Sequence, residues 1–297
     1  MRYAPGVRTF KGMATRHPPA LPFSRPVKKL LVGRVRALFN DTARGEKPVQ
    51  RKEDGLFGSG SVAWRVHADV TSMMIGGISA LLLQMLHPRA LAGVWDHSDF
   101  RHDTLGRLRR TARFIALTTY GGREEAETAL ARVRSIHDRV HGTLPDGTAY
   151  DANDPHLLTW VHVTEAVSFL NGWIRYGEPD MPAADQDRYF KEVAQIAARL
   201  GATDIPESRT EATLYIESMR KELVCDDRAR TVARFLLKQP SPQLAAAPFH
   251  AVTLRAGIDL LPEWARRMHG LSPGPLSAPL VRIGATGMAR TLRWAFR

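Results

Sequence analysis

From Val62 onward, apolar residues return at helical spacing almost without interruption. The pattern predicts helices near 62–86, 103–119, 123–141, 155–176, 184–200, 208–220, 228–238, 243–268 and 276–295. The punctuation agrees with it. Pro88 should end or bend the first helix at His87, because proline lacks an amide hydrogen and restricts the residue before it. Gly121-Gly122 separates the next two helices, and Pro145-Asp146-Gly147 reads as a turn. Asp154-Pro155 supplies a cap and a first-turn proline, and Gly177 and Gly201 are candidates for helix C-caps. Only Thr148 to Tyr150 offers a strand, pairing briefly across its turn. The fold class is therefore all-α, an irregular multi-helix bundle.

Residues 1–55 break this rhythm. They are rich in Pro, Arg and Lys and read as an irregular arm with one short basic helix near Val27 to Phe39. The arm should wrap the remainder, because Phe10, Leu21 and Phe23 need cover. The organisation expected is an N-terminal basic arm, 1–55, followed by one all-α domain, 56–297.

The formal net charge of +12 and the pI of about 10.3 admit nucleic acid, an anionic membrane surface or acidic ligands as partners. The basic residues are mostly arginine, however, and are spread over the chain. Many alternate with acids, as in Arg123-Glu124-Glu125 and Asp226-Asp227-Arg228, which marks solvated helix faces. No nucleic-acid motif accompanies them, so nucleic acid is not an expected partner. A peripheral membrane or acidic-partner contact remains, through Arg25, Lys28, Lys29, Arg34 and Arg36 of the arm and the C-terminal Arg290, Arg293 and Arg297.

Cys225 is the sole cysteine, which excludes an intramolecular disulfide. The two carboxylates after it disfavour a thiolate, so a half-buried, inert thiol is expected. No Cys-x-x-Cys-His occurs, so any haem would be held non-covalently. The longest apolar stretch, Met73 to Leu86, is interrupted by Gly76, Gly77 and Gln84. It is too short to span a bilayer and reads as a buried helix. No apolar core of signal type follows the basic N-terminus, and a cytoplasmic location is expected.

Several polar side chains fall inside apolar helix faces, which is costly without a partner. Leu130, Val133, His137 and Val140 form one such stripe. His137 is therefore a candidate metal ligand, the alternative being a core histidine bonded to a backbone carbonyl. His162 shares a stripe with Leu158, Ala166, Phe169 and Trp173, and Glu165 could hold its ring. Ligand, supporting residue and packed histidine are all open there. His87 could cap a helix end or line a pocket, and His141, at a helix terminus beside Gly142, belongs at the surface. Arg107, Arg110 and Thr111 share a face; the arginines could bind propionates or a carboxylate substrate, or instead pair with Asp96, Asp99 or Asp103. A haem would satisfy these groups together. Other chemistries lack their residues: there is no Glu-x-x-His tetrad, no His-Glu-x-x-His, no Gly-x-Ser-x-Gly and no Walker loop, and Gly58-Ser-Gly60 follows no strand.

From Val62 to Gly201 the chain resembles the MpaB/latex-clearing protein (rubber oxygenase catalytic domain) family. The landmarks are Leu81-Leu-Leu-Gln-Met-Leu-His-Pro88, Arg107-Leu-Arg-Arg-Thr111, Thr119-Tyr-Gly121, Arg134-Ser-Ile-His-Asp-Arg-Val140, Asp154-Pro-His-Leu-Leu-Thr-Trp-Val-His162 and Arg175-Tyr-Gly177. The resemblance implies an all-α b-type haem protein with a globin-like core. In it His137 binds the iron, and Arg107 and Thr111 line the distal pocket. The chain departs from the family at Arg110, where those enzymes carry a distal lysine; a guanidinium has no free lone pair for iron. It departs again upstream of Arg107, where only Asp96 and Asp99 stand in place of a glutamate base. Haem oxygen chemistry on a small intracellular substrate is expected rather than rubber cleavage. His87 and His162 are pocket residues or alternative ligands. A non-catalytic haem- or lipid-binding helical protein is the alternative. Residues Glu207 to Arg297 carry helical pattern without recognisable chemistry and should complete the bundle over the pocket.

Overall fold

The computed structural model describes residues 24–39, 45–239, 247–271 and 277–296. Phe10, Leu21 and Phe23, the side chains of Arg34 and Arg36, and Arg297 lie outside the described residues. The protein is all-α apart from one small hairpin. Its helices are α1 (Ser24–Phe39), α2 (Val62–His67), α3 (Val70–Gln84), α4 (Pro88–His97), α5 (Thr104–Tyr120), α6 (Arg123–His137), α7 (Pro155–Tyr176), α8 (Ala183–Leu200), α9 (Arg209–Met219), α10 (Asp227–Leu237), α11 (Ala247–Leu260), α12 (Glu263–His269) and α13 (Ser277–Phe296). A 3₁₀ turn, Arg220–Glu222, follows α9. Strands β1 (His141–Thr143) and β2 (Ala149–Asp151) pair antiparallel, with Gly142 opposite Tyr150.

Helices α3 and α7 form the centre. Their approach is close because both present glycine at the crossing: a Cβ on Gly76 would meet the Ser168 carbonyl oxygen at 2.8 Å, and one on Gly172 the Ser72 carbonyl oxygen at 2.7 Å. Helices α11 and α13 cover α3, and α8 and α9 cover α7. The main core gathers Trp64, Leu82, Leu83, Trp160, Phe169, Tyr189 and Phe190. The stretch Met73 to Leu86 is buried here, as its composition requires. Among the described residues no single helix is long and apolar enough to cross a membrane; α3 and α4 would pass only as a pair bent by 104°.

Four boundaries differ from the sequence pattern. The first helix breaks at Asp69, whose carboxylate caps α3 by accepting from the Ser72 amide at 2.8 Å. A buried cap is stronger than continuity of the apolar pattern, and Arg293 completes it at 2.8 Å. Pro88 ends the first run as expected but also begins α4, a helix the pattern did not predict, with His87 as its N-cap residue. Helix α6 stops at His137 because the Val140 carbonyl accepts from the Ala152 amide at 2.8 Å, beginning the hairpin. Pro262 divides the run expected over 243–268 into α11 and α12. The brief pairing expected at Thr148 to Tyr150 is present one residue on, at Ala149 to Asp151, and Gly201 ends α8 with φ 108°.

Candidate functional site

The histidines separate by whether their ring nitrogens are satisfied. His67 bonds Thr119 Oγ1 at 2.8 Å and the Tyr189 hydroxyl at 2.9 Å, and burial pulls its pKa down to about 3. His269 is buried with Nε2 2.8 Å from the Leu82 carbonyl oxygen and Nδ1 3.6 Å from Cys225 Sγ. These two are packed core histidines. By contrast, Nδ1 of His137, Nε2 of His162 and both nitrogens of His87 are buried without a hydrogen-bond partner among the described residues. An unpaired buried polar group costs about 1–3 kcal/mol, which makes these three rings candidates for a ligand or an ordered water.

His137 is the last residue of α6 and is half-buried, below the buried Leu130 on the same stripe. Burial lowers its pKa, while Asp138 and Asp151 act against that. Helices α5 and α6 pack together across the Gly121-Gly122 turn, so they run back along one another. At about 1.5 Å rise per residue in both arms, equal counts from the turn bring His137 level with Gly106 and Arg107. The hairpin's open end therefore carries both residues. A Cβ on Gly93 would meet Val140 Cγ1 at 3.2 Å, which sets α4 beside this end.

Arg107 turns inward. It donates to Ser98 Oγ at 2.8 Å, and burial, with Arg110 nearby, lowers its pKa to about 10. It borders an apolar cavity of about 40 Å³ lined by Leu82, Met85, Phe100, Val232 and Phe235. Arg110 and Thr111 are not in this interior. Both are exposed, and Arg110 pairs with Asp103 at 3.0 Å. The shared face expected for the three residues is thus split, because the wide side of α5 beyond Arg107 meets solvent. An open concavity of about 620 Å³ lies over the hairpin, lined by His141, Tyr150, Asp151 and Asp154. His141 is exposed, as its terminal position requires.

His162 lies one turn before Ala166 on α7, and burial pulls its pKa down to about 4. Glu165 makes no hydrogen bond with it among the described residues; burial pushes that carboxyl up to about 7 instead. Glu165 lies close enough to Tyr189 for its charge to raise the phenol's pKa, which burial has already lifted. Cys225 is half-buried, and its thiol pKa is raised first by burial and then by Asp226. Of the basic residues expected at the surface, Arg293 turns inward to Asp69 and to the Tyr176 carbonyl oxygen at 2.9 Å. Lys28 stands 4.9 Å over the Trp294 ring.

His87, only 2% exposed, gathers with two residues the sequence pattern did not single out. His156 Nε2 is 2.9 Å, and His87 Nε2 3.4 Å, from Glu222 Oε2. The signal was weak: His156 sits in the first turn of α7 and Glu222 lies 66 residues on, with no spacing rule to join them. Burial pushes the Glu222 carboxyl up, but the hydrogen bond and charge of His156, with His87, outweigh this and hold it below the usual range. Burial and Arg89 lower the His87 pKa, so its ring is neutral near pH 7.

Residues 64–294 match the family model described as ER-bound oxygenase mpaB/B'/rubber oxygenase, catalytic domain. The match extends through Glu207 to Trp294, where the sequence pattern offered no recognisable chemistry. No curated protein and no solved structure matches the chain.

Proposed function

We propose, because the chain belongs to the mpaB/rubber oxygenase catalytic-domain family, that it is a haem b-dependent oxidoreductase acting on a small-molecule substrate by oxygenation or dehydrogenation. The family is one of oxygenase catalytic domains, which makes the chain an enzyme of the oxidoreductase class. The haem part of the reading rests on one observation, the buried, unpaired Nδ1 of the half-buried His137, at the level along the α5–α6 hairpin of Arg107, which turns inward. In this reading His137 holds the iron, and Arg107 orients oxygen, peroxide or a substrate carboxylate through charge-assisted hydrogen bonds. His162, whose Nε2 is also buried without a partner among the described residues, is a pocket residue or an alternative ligand. Bound haem supplies the redox chemistry, which the protein tunes through the axial ligand and its surroundings. The concavity over the hairpin is lined by neither His137 nor Arg107, and the cavity beside Arg107, about 40 Å³, is too small for a prosthetic group without movement of its walls.

The test is spectroscopic. The purified chain supplied with haem should show a Soret band that His137→Ala abolishes and His269→Ala retains. A chain that stays colourless, or a band indifferent to His137→Ala, overturns the assignment; His162→Ala tests the other orphaned ring. Haem bound with no turnover of any substrate with oxygen or peroxide would favour a non-catalytic haem- or lipid-binding protein.

A peripheral membrane contact is supported by one stripe on α13. Leu280 and Ile283, 71% and 70% exposed, share it with Arg290 and Trp294. Flotation with anionic vesicles, lost at high salt and in Leu280→Ser/Ile283→Ser, would support it; equal flotation of the variant overturns it.

A further inference from the structure

We infer that His87, His156 and Glu222 form a binding site for a divalent first-row transition-metal ion, made of residues other than His137 and Arg107. Each residue offers one ligand atom, and the three atoms lie within 4.8 Å of one another. At metal–ligand lengths of about 2.1 Å, neighbouring ligands stand about 3.0 Å apart in octahedral geometry and about 3.4 Å apart in tetrahedral geometry. The observed separations from Glu222 Oε2 are 2.9 Å to His156 and 3.4 Å to His87. Only the two rings need to draw together to complete the set.

The bland alternative is an ion pair between His156 and Glu222 that merely touches His87. It leaves an almost fully buried imidazole with neither nitrogen bonded. A metal on Nε2 accounts for one of those two orphans.

The scaffold holds the three residues without using the ligands themselves. The Val224 amide donates to the Leu86 carbonyl oxygen at 2.8 Å, which fixes the segment after Glu222 beside His87. Arg89 pairs with Asp154 at 2.7 Å, which fixes the start of α4 against the start of α7. Asp154 also accepts from the His156 amide at 2.9 Å. Its carboxylate neutralises Arg89, so the net charge left facing the metal is that of Glu222. Two imidazoles and one carboxylate suit iron, zinc and neighbouring dications and leave positions for water. The His156 and Glu222 side chains, 38% and 31% exposed, leave that side open.

The test uses the full chain, stripped with a chelator and titrated with Co²⁺ while visible d–d absorption is followed. One Co²⁺ per chain should bind, be displaced by Zn²⁺ and raise the melting temperature. His156→Ala and Glu222→Gln, both at half-exposed positions, should each weaken uptake at least tenfold while keeping the far-UV spectrum. His137→Ala should leave cobalt binding unchanged, so failure of the haem assignment and failure of this one are distinguishable. Absence of stoichiometric uptake, or uptake that persists in both variants, overturns the proposal.

Discussion

Arg110 pairs with Asp103 at 3.0 Å on the exposed side of α5, one turn from the inward-facing Arg107. Two arginines that look equivalent in the sequence therefore have different surroundings. Arg110→Lys, which places the family's lysine at this position, should leave the visible spectrum of the haem-loaded chain unchanged and cost less than about 1 kcal/mol. A shift to six-coordinate low spin would show that Arg110 reaches the iron.

Arg107→Met keeps volume but removes the buried charge. The loaded chain should retain its Soret band while its affinity for azide falls about tenfold or more, the scale of one charge-assisted hydrogen bond. Unchanged azide affinity would remove Arg107 from the pocket.

Glu165 sets a pH signature. Its folded pKa, about 7, lies above the ordinary 4.5, so the folded state binds the extra proton between these values. Its contribution is fully present below pH 4.5 and is lost as pH rises to about 7. His67 and His162, lowered to about 3 and about 4 from 6.5, act in the opposite direction: their contribution is present above pH 6.5 and lost as pH falls. The difference in stability between Glu165→Gln and the parent, followed by denaturant titration, should change in the variant's favour from pH 4.5 to 7 and be flat beyond. A flat difference throughout would mean that Glu165 is solvated.

Asp259 is 3% exposed and accepts from Arg282 Nε at 2.7 Å and Arg175 Nη1 at 2.9 Å, whereas both arginines reach water. Removing the acid frees two solvated cations; removing both arginines strands a buried anion. Arg175→Ala/Arg282→Ala should therefore cost roughly 3–5 kcal/mol and more than Asp259→Asn. The reverse order in urea unfolding would sink this account.

Glycines give a matched pair. Gly172→Ala drives a methyl into the Ser72 carbonyl at the α3–α7 crossing and should destabilise by about 1–3 kcal/mol. Gly287→Ala meets nothing within 4 Å on α13 and should stabilise by up to about 1 kcal/mol. Calorimetric melting of both variants checks the opposite signs.

The all-α class, most helices and their glycine and proline boundaries are legible along the chain, because 3.6-residue periodicity and backbone punctuation are local properties. The same pattern also marked His137, His162 and Arg107 as costly residues on apolar faces. Which histidines remain unpaired was decided only in three dimensions. His67 and His269 are satisfied by Tyr189 and Leu82, partners 122 and 187 residues away. Likewise, the meeting of His87 and His156 with Glu222, and the outward turn of Arg110, depend on how α4, α5, α7 and the 3₁₀ turn pack. Hydrogen-bond satisfaction and ligand geometry are relations between distant segments, and no spacing along one helix encodes them.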